Sequence, residues 1–242
     1  MNKIAILYLC TGDYVYFWEN FFKSYEQYFL PNSEKHYFVW TDAEKIYAED
    51  NPRVHKIYKK CLGFPDETLK RFHTFETIEK ELLKFDYVFF MNSNLICRQM
   101  IMEEEFLPSG NELVVVKHPA TYHCHPNQLT YERRPESTAW IPYNYGGLYV
   151  LGGINGGCPQ TYCKMIRELR QRIDIDLQRG IVAIWHDESH LNRYIIEGSV
   201  PVKVLDSDYG WPEDWNLPFE KKIEILEKRK YIDIDKIKLG LK

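Results

Sequence analysis

Apolar positions along the chain switch repeatedly between the spacing of strands and that of helices. Residues 3–10 form an apolar run that predicts a buried strand, and Phe17, Phe21, Phe22, Tyr25 and Phe29 then recur at helical spacing. Residues 37–40, ending at Thr41 and Asp42, predict a second strand, and Val54–Tyr58 a third. Across 69–85, Leu69, Phe72, Phe75, Ile78 and Leu82 share one helical face; the apolar strand Tyr87–Met91 then runs straight into Asn92-Ser93-Asn94. This alternation predicts an α/β fold on a parallel, nucleotide-binding sheet, whose ligands sit beyond the carboxyl ends of the strands.

The second half opens with a strand at 113–116 and a loop over 117–144 rich in His, Tyr, Arg and Pro. Residues 148–151 are again apolar, and Gly152, Gly153, Gly156 and Gly157 predict a turn. Tyr162, Ile166, Leu169 and Ile173 mark an amphipathic helix over 162–177, and Trp185-His186-Asp187-Glu188 opens a shorter one carrying Leu191, Tyr194 and Ile195. With no internal repeat and no low-complexity linker, the 242 residues read as one domain.

Composition narrows the classes. The chain is 45% apolar and 15% aromatic, which excludes a largely disordered protein, and its formal charge of -4 excludes a generally basic nucleic-acid binder. No apolar run reaches the ~18 residues that span a bilayer, and Lys3 leads at once into a strand rather than a leader pattern, so a cytoplasmic protein without a membrane span is expected. Cys10, Cys61, Cys97, Cys124, Cys158 and Cys163 lack paired CxxC spacing and read as reduced structural thiols. Residues 221–242 hold eight Lys or Arg against four Asp or Glu, the pattern of a solvated helix plus tail or of a mobile basic lid over a diphosphate.

Three constellations carry candidate chemistry. Asn92 and Asn94 sit at i, i+2 after a strand; two carboxylates there would hold a divalent cation, two neutral amides hold one poorly, and the pair taken alone reads first as a simple turn. Asp187 and Glu188 follow Trp185 at a helix start, where acidic residues serve as caps or as carboxylates facing a developing oxocarbenium ion. His118, His123, Cys124 and His125 match no regular zinc spacing, so no metal is expected there.

Taken together, the run Leu129-Thr130-Tyr131-Glu132-Arg133-Arg134-Pro135 continuing to Ile141-Pro142, the run Leu151-Gly152-Gly153 with Gly156-Gly157, and above all Trp185-His186-Asp187-Glu188-Ser189-His190-Leu191-Asn192 resemble glycosyltransferase family 6. That family contains the blood-group A and B transferases, α1,3-galactosyltransferase and the Forssman synthase. The likeness runs collinearly from residue 14 to about 209, and the eight residues from Trp185 are its most specific part. It implies a GT-A fold: a UDP-binding half over about 1–112, an acceptor and catalytic half over about 113–220, and the basic segment 221–242.

The resemblance further implies that Tyr14 stacks on uracil with Cys10 and Thr11 beside it, that Arg71 reaches the donor, and that Asn92 and Asn94 occupy the Asp-x-Asp positions. His118, Thr130 and Trp185 match acceptor-contacting positions, Asp187 a donor-sugar contact, and Glu188 the catalytic carboxylate. Leu151 and Gly153 match the pair that selects UDP-GalNAc over UDP-Gal in the A transferase. The expectation is therefore a retaining α1,3-N-acetylgalactosaminyltransferase that moves GalNAc from UDP-GalNAc to a fucosylated galactoside. With both metal-binding aspartates replaced by Asn, it looks like a short, metal-independent bacterial member that needs no cofactor, and Arg71, Lys70 and the basic segment are the candidates to carry the diphosphate's charge. The alternatives are transfer of Gal from UDP-Gal, and a carbohydrate-binding protein that has lost catalysis.

Overall fold

The computed structural model describes residues 1–121 and 124–240. In chain order the first half contains β1 (Lys3–Leu9), α1 (Trp18–Tyr28), β2 (Glu34–Thr41), β3 (Val54–Tyr58), α2 (Asp66–Leu69), α3 (Arg71–Glu76), α4 (Glu79–Leu82), β4 (Tyr87–Met91) and β5 (Leu95–Cys97). The second half contains α5 (Glu103–Phe106), β6 (Leu113–Lys117), β7 (Val150–Gly157), α6 (Pro159–Gln178), α7 (His186–Ile196), β8 (Val202–Leu205), β9 (Trp211–Pro212), β10 (Ile223–Ile225) and α8 (Ile234–Lys238).

Seven strands form a mixed, largely parallel sheet in the order β3-β2-β1-β4-β7-β6-β8, with β7 antiparallel to both neighbours. Side chains alternate across a strand, so β1 feeds two cores. Ile4, Ile6 and Tyr8 pack with Trp18, Phe21 and Tyr25 of α1, while Ala5 and Leu7 pack with Phe72 and Phe75 of α3 and Ile166 and Leu169 of α6. A small second sheet, β5-β10-β9, lies beyond the end of β4.

Two expected elements differ. The four glycines predicted as a turn lie within β7, where they permit close approach of neighbouring chains: a Cβ on Gly156 would lie 2.3 Å from the carbonyl oxygen of Val88 in the neighbouring β4. The predicted helix over 69–85 is broken at Lys70 and Ile78 into pieces of α2, α3 and α4, although Leu69, Phe72, Phe75 and Leu82 stay buried as their spacing requires. The hydroxyls of Thr74 and Thr77 donate to the carbonyls of Lys70 and Thr74, competing with the helical ladder at the breaks.

This topology puts one end of the sheet at the centre of the function. Because β7 runs antiparallel, it begins beside the carboxyl ends of β4 and β6: the Asn92 amide donates to the Gly153 carbonyl, and that of His118 to Tyr149. Among the described residues, no helix is long and apolar enough to cross a membrane. All six cysteines are free, and five are buried.

Candidate active site

Two connected cavities open beyond the carboxyl ends of β1 and β4, of about 290 and 100 Å³, both lined by Thr68, Arg71, Asn92 and Lys228. The smaller is bordered by Thr11 and Tyr14; the larger ends at Leu151-Gly152-Gly153 and the run Trp185-His186-Asp187-Glu188. Residues far apart in sequence thus line one trough with a narrow end at Tyr14 and a wider end at Glu188.

Glu188 lies in the first turn of α7, its carboxylate aimed back at β7. One oxygen accepts the Tyr149 hydroxyl and the other the Gly152 amide, each at 2.8 Å. Burial raises its pKa, while the Gly152 N–H and the Tyr149 hydroxyl favour the anion. Asn192, one turn on, holds helix to strand: its amide donates to the carbonyls of Val150 and Glu188, and its oxygen accepts the Val150 N–H. Gly152 is the close-approach residue here, since a Cβ would lie 2.9 Å from Cβ of Glu188 and 3.1 Å from its Oε2.

Asp187 is buried and ion-paired with Arg71 at 2.5 Å. Burial pushes its carboxyl up to about 6; the Arg71 guanidinium opposes that shift and the Glu188 carboxylate adds to it. Arg71 also donates to the Gly152 carbonyl at 3.3 Å and stacks 4.2 Å from the Phe90 ring, so it ties α3, β4, β7 and α7 together at the trough floor. The residue that starts α7, His186, has φ +51°, a strained backbone for a non-glycine residue and a frequent mark of functional sites.

The Asn pair divides its labour. Asn92 lines both cavities, and its amide donates to Oδ1 of Asn94 at 2.8 Å. Asn94 is buried, and its amide donates to the Leu226 carbonyl at 2.6 Å while its backbone carbonyl accepts the Leu226 N–H. An aspartate at 94 has no proton to give Leu226, so the neutral side chain suits a clamp on the C-terminal segment.

That clamp sits two residues before Lys228, one of the eight cations of the basic segment. The Lys228 ammonium lies 5.5 Å from the Tyr14 ring and lines both cavities with Arg71. Burial, and then the nearby Arg71 charge, lower its pKa. Lys70, by contrast, pairs with Asp66 at 3.0 Å and lines neither cavity. The segment continues across the Tyr14 end, where Ile237 is buried near Gly12 and the Lys238 carbonyl accepts the Phe64 N–H.

A third cavity, of about 280 Å³, lies on the far side of Tyr149 and is lined by His118, Thr121, Cys124 and Gly147 among others. Burial lowers the His118 pKa to about 4, which leaves a neutral ring set edge-on to Tyr149 at 5.6 Å. Thr130 is exposed beside Tyr149, whose pKa its hydroxyl acts to lower against the dominant effect of burial, and Trp185 is half-exposed at the rim of the Glu188 cavity. Tyr149 is thus shared between the two compartments, a role hidden inside an apolar strand run. Cys10 does not line the trough: it is fully buried, with its thiol pushed up to about 12 by burial. Of the proposed histidine cluster, His123 lies outside the described residues; His118 and His125 each accept a backbone N–H through Nδ1.

The chain belongs to glycosyltransferase family 6, whose sequence model matches residues 2–234. It is 32% identical over 229 residues to the O-antigen biosynthesis glycosyltransferase WbnI of Escherichia coli, covering 94% of this chain and 95% of that one. It is 28% identical over 220 residues to the globoside alpha-1,3-N-acetylgalactosaminyltransferase 1 of Homo sapiens, covering 87% of this chain and 61% of the human one. To the histo-blood group ABO system transferase 2 of Rattus norvegicus it is 26% identical over 249 residues, with coverages of 97% and 70%. The protein is therefore a glycosyltransferase enzyme that takes a nucleotide-sugar donor and a glycan acceptor, and its mixed sheet has the GT-A-like organisation of that family.

Proposed function

We propose that the protein transfers GalNAc from UDP-GalNAc to a fucosylated galactoside, with retention at the anomeric carbon and without a divalent metal. The observation that carries this reading is one trough with Glu188 fixed at its sugar end and Arg71 and Lys228 where its two cavities meet. The bond from C1 to the β-phosphate oxygen breaks with its electron pair on UDP, and the acceptor oxygen joins C1 on the same face. The acceptor proton leaves with the phosphate. Glu188 holds its charge against the positive C1, Asp187 and Arg71 orient the sugar, and Lys228 faces the charge that grows on the diphosphate.

Neutral Asn92 and Asn94 cannot repay the dehydration of Mg²⁺ or Mn²⁺ as two carboxylates would. Transfer assays should therefore give equal rates with and without EDTA, and no stimulation by added Mn²⁺. Activity abolished by EDTA and restored by Mn²⁺ would overturn the metal-free reading.

Donor choice rests on Leu151 and Gly153. A Cβ added at Gly153 would lie 3.3 Å from Cβ of Asn92, on the wall of the sugar end. Glycine there leaves room for the acetamido group of GalNAc. Gly153→Ala should shift the kcat/KM ratio toward UDP-Gal, within the roughly 10–200-fold that a methyl-sized difference supports. Equal or better kcat/KM with UDP-Gal for the unaltered protein would remove the GalNAc assignment and leave galactosyl transfer.

A further inference from the structure

Side chains alternate across the three-stranded sheet, so its two faces border different spaces. Leu95 and Ile225 line the Glu188 cavity, whereas their neighbours Ile96 and Leu226 line another cavity of about 470 Å³ on the opposite face, between the sheet and α1. The transfer reading uses none of it.

Its lining is specific in chemistry. Tyr16, Tyr28 and Tyr231 contribute aromatic faces, and Asn20 and Gln27 contribute carboxamides from α1. Tyr16 is 54% exposed and its ring lies 5.9 Å from that of Tyr231. Among the described residues, no side-chain hydrogen bond engages Asn20, Gln27 or the phenols of Tyr16 and Tyr28. The two cations at the site are both engaged, Lys23 with Glu19 at 2.6 Å and Arg98 with Glu224 at 2.5 Å, a carboxylate that Arg98 shares with Lys221.

We infer that this cavity is a second saccharide-binding site, for a neutral oligosaccharide. Unpartnered amides and phenols supply both donors and acceptors, as a polyol requires, and tyrosine faces cover the apolar C–H side of a sugar ring. Each cation at the site already has a carboxylate partner, which favours a neutral ligand over an anion, and the volume falls in the range of small-molecule sites, roughly 300–1,000 Å³. Tyr231 belongs to the turn that starts with Lys228, whose carbonyl accepts the Tyr231 N–H, so a bound sugar bears on the segment that crosses the donor trough. The ligand class follows from this lining alone and rests on no step of the transfer reading.

The test is a titration of the ¹⁵N-labelled full chain with lactose and with N-acetyllactosamine, following the side-chain amides of Asn20 and Gln27, with inorganic phosphate as the charged comparison. Saturable shifts of both amides with the disaccharides, and none with phosphate, are expected. The double variant Asn20→Ala, Gln27→Ala changes only exposed positions, and it should weaken that binding roughly 30-fold while leaving the transfer kcat unchanged. Absence of saturable shifts at these amides, disaccharide binding of equal strength in the double variant, or binding of phosphate in place of sugar would each overturn the proposal.

Discussion

Glu188→Gln is expected to lower kcat for transfer by on the order of 10²-fold or more while leaving UDP affinity and the thermal midpoint nearly unchanged. The substitution suits the site because a Gln side chain keeps both hydrogen bonds: its oxygen accepts the Gly152 N–H, and its amide donates to the Tyr149 hydroxyl, which turns to accept. Only the charge is lost, so a fall in kcat reports on the transition state rather than on folding. Gly152→Ala reaches the same carboxylate by another route, since the new methyl would lie 2.9 Å from Cβ of Glu188 and displace it. Single-turnover rates with UDP titrations decide the matter. Near-full transfer by Glu188→Gln would remove the catalytic assignment and restore the reading of a sugar-binding protein.

How much of this was legible in the sequence depends on the range of the interactions. β3 and β4 have the predicted bounds, because short apolar runs carry the strand signal within themselves. The Gly-rich stretch misled, because glycine marks both turns and places where chains approach closely, and only the pairing of β7 with β4 and β6 separates the two. Asp187 and Glu188 stood out through the run beginning at Trp185. Tyr149 did not, because its hydroxyl acquires a role only when α7 packs on β7. Lys228 was one of eight cations in its segment, and only the Asn94–Leu226 clamp distinguishes it from the others.

The same clamp sets the last expectation, that Lys228→Met lowers kcat/KM for the UDP-sugar by on the order of 10²-fold, with part of the loss in UDP affinity. The trough holds two cations, but Arg71 is already paired with Asp187, and the acidic influence on Lys228 comes from Glu227, its neighbour in sequence. Burial, and then the neighbouring Arg71 charge, disfavour the Lys228 ammonium in the free protein and lower its pKa, and the negative charge of a bound diphosphate offsets both. The charge then counts most as the leaving group gains its electron pair. Lys228→Arg should retain much of the activity, and Mn²⁺ should not rescue Lys228→Met, because Asn92 and Asn94 offer no carboxylate. A point substitution is the cleaner experiment, since truncation before Lys221 also removes β10 and its pairing with β5 and β9. Donor kinetics in Lys228→Met equal to those of the unaltered protein would leave Arg71 as the cation for the diphosphate and return the C-terminal segment to a structural role.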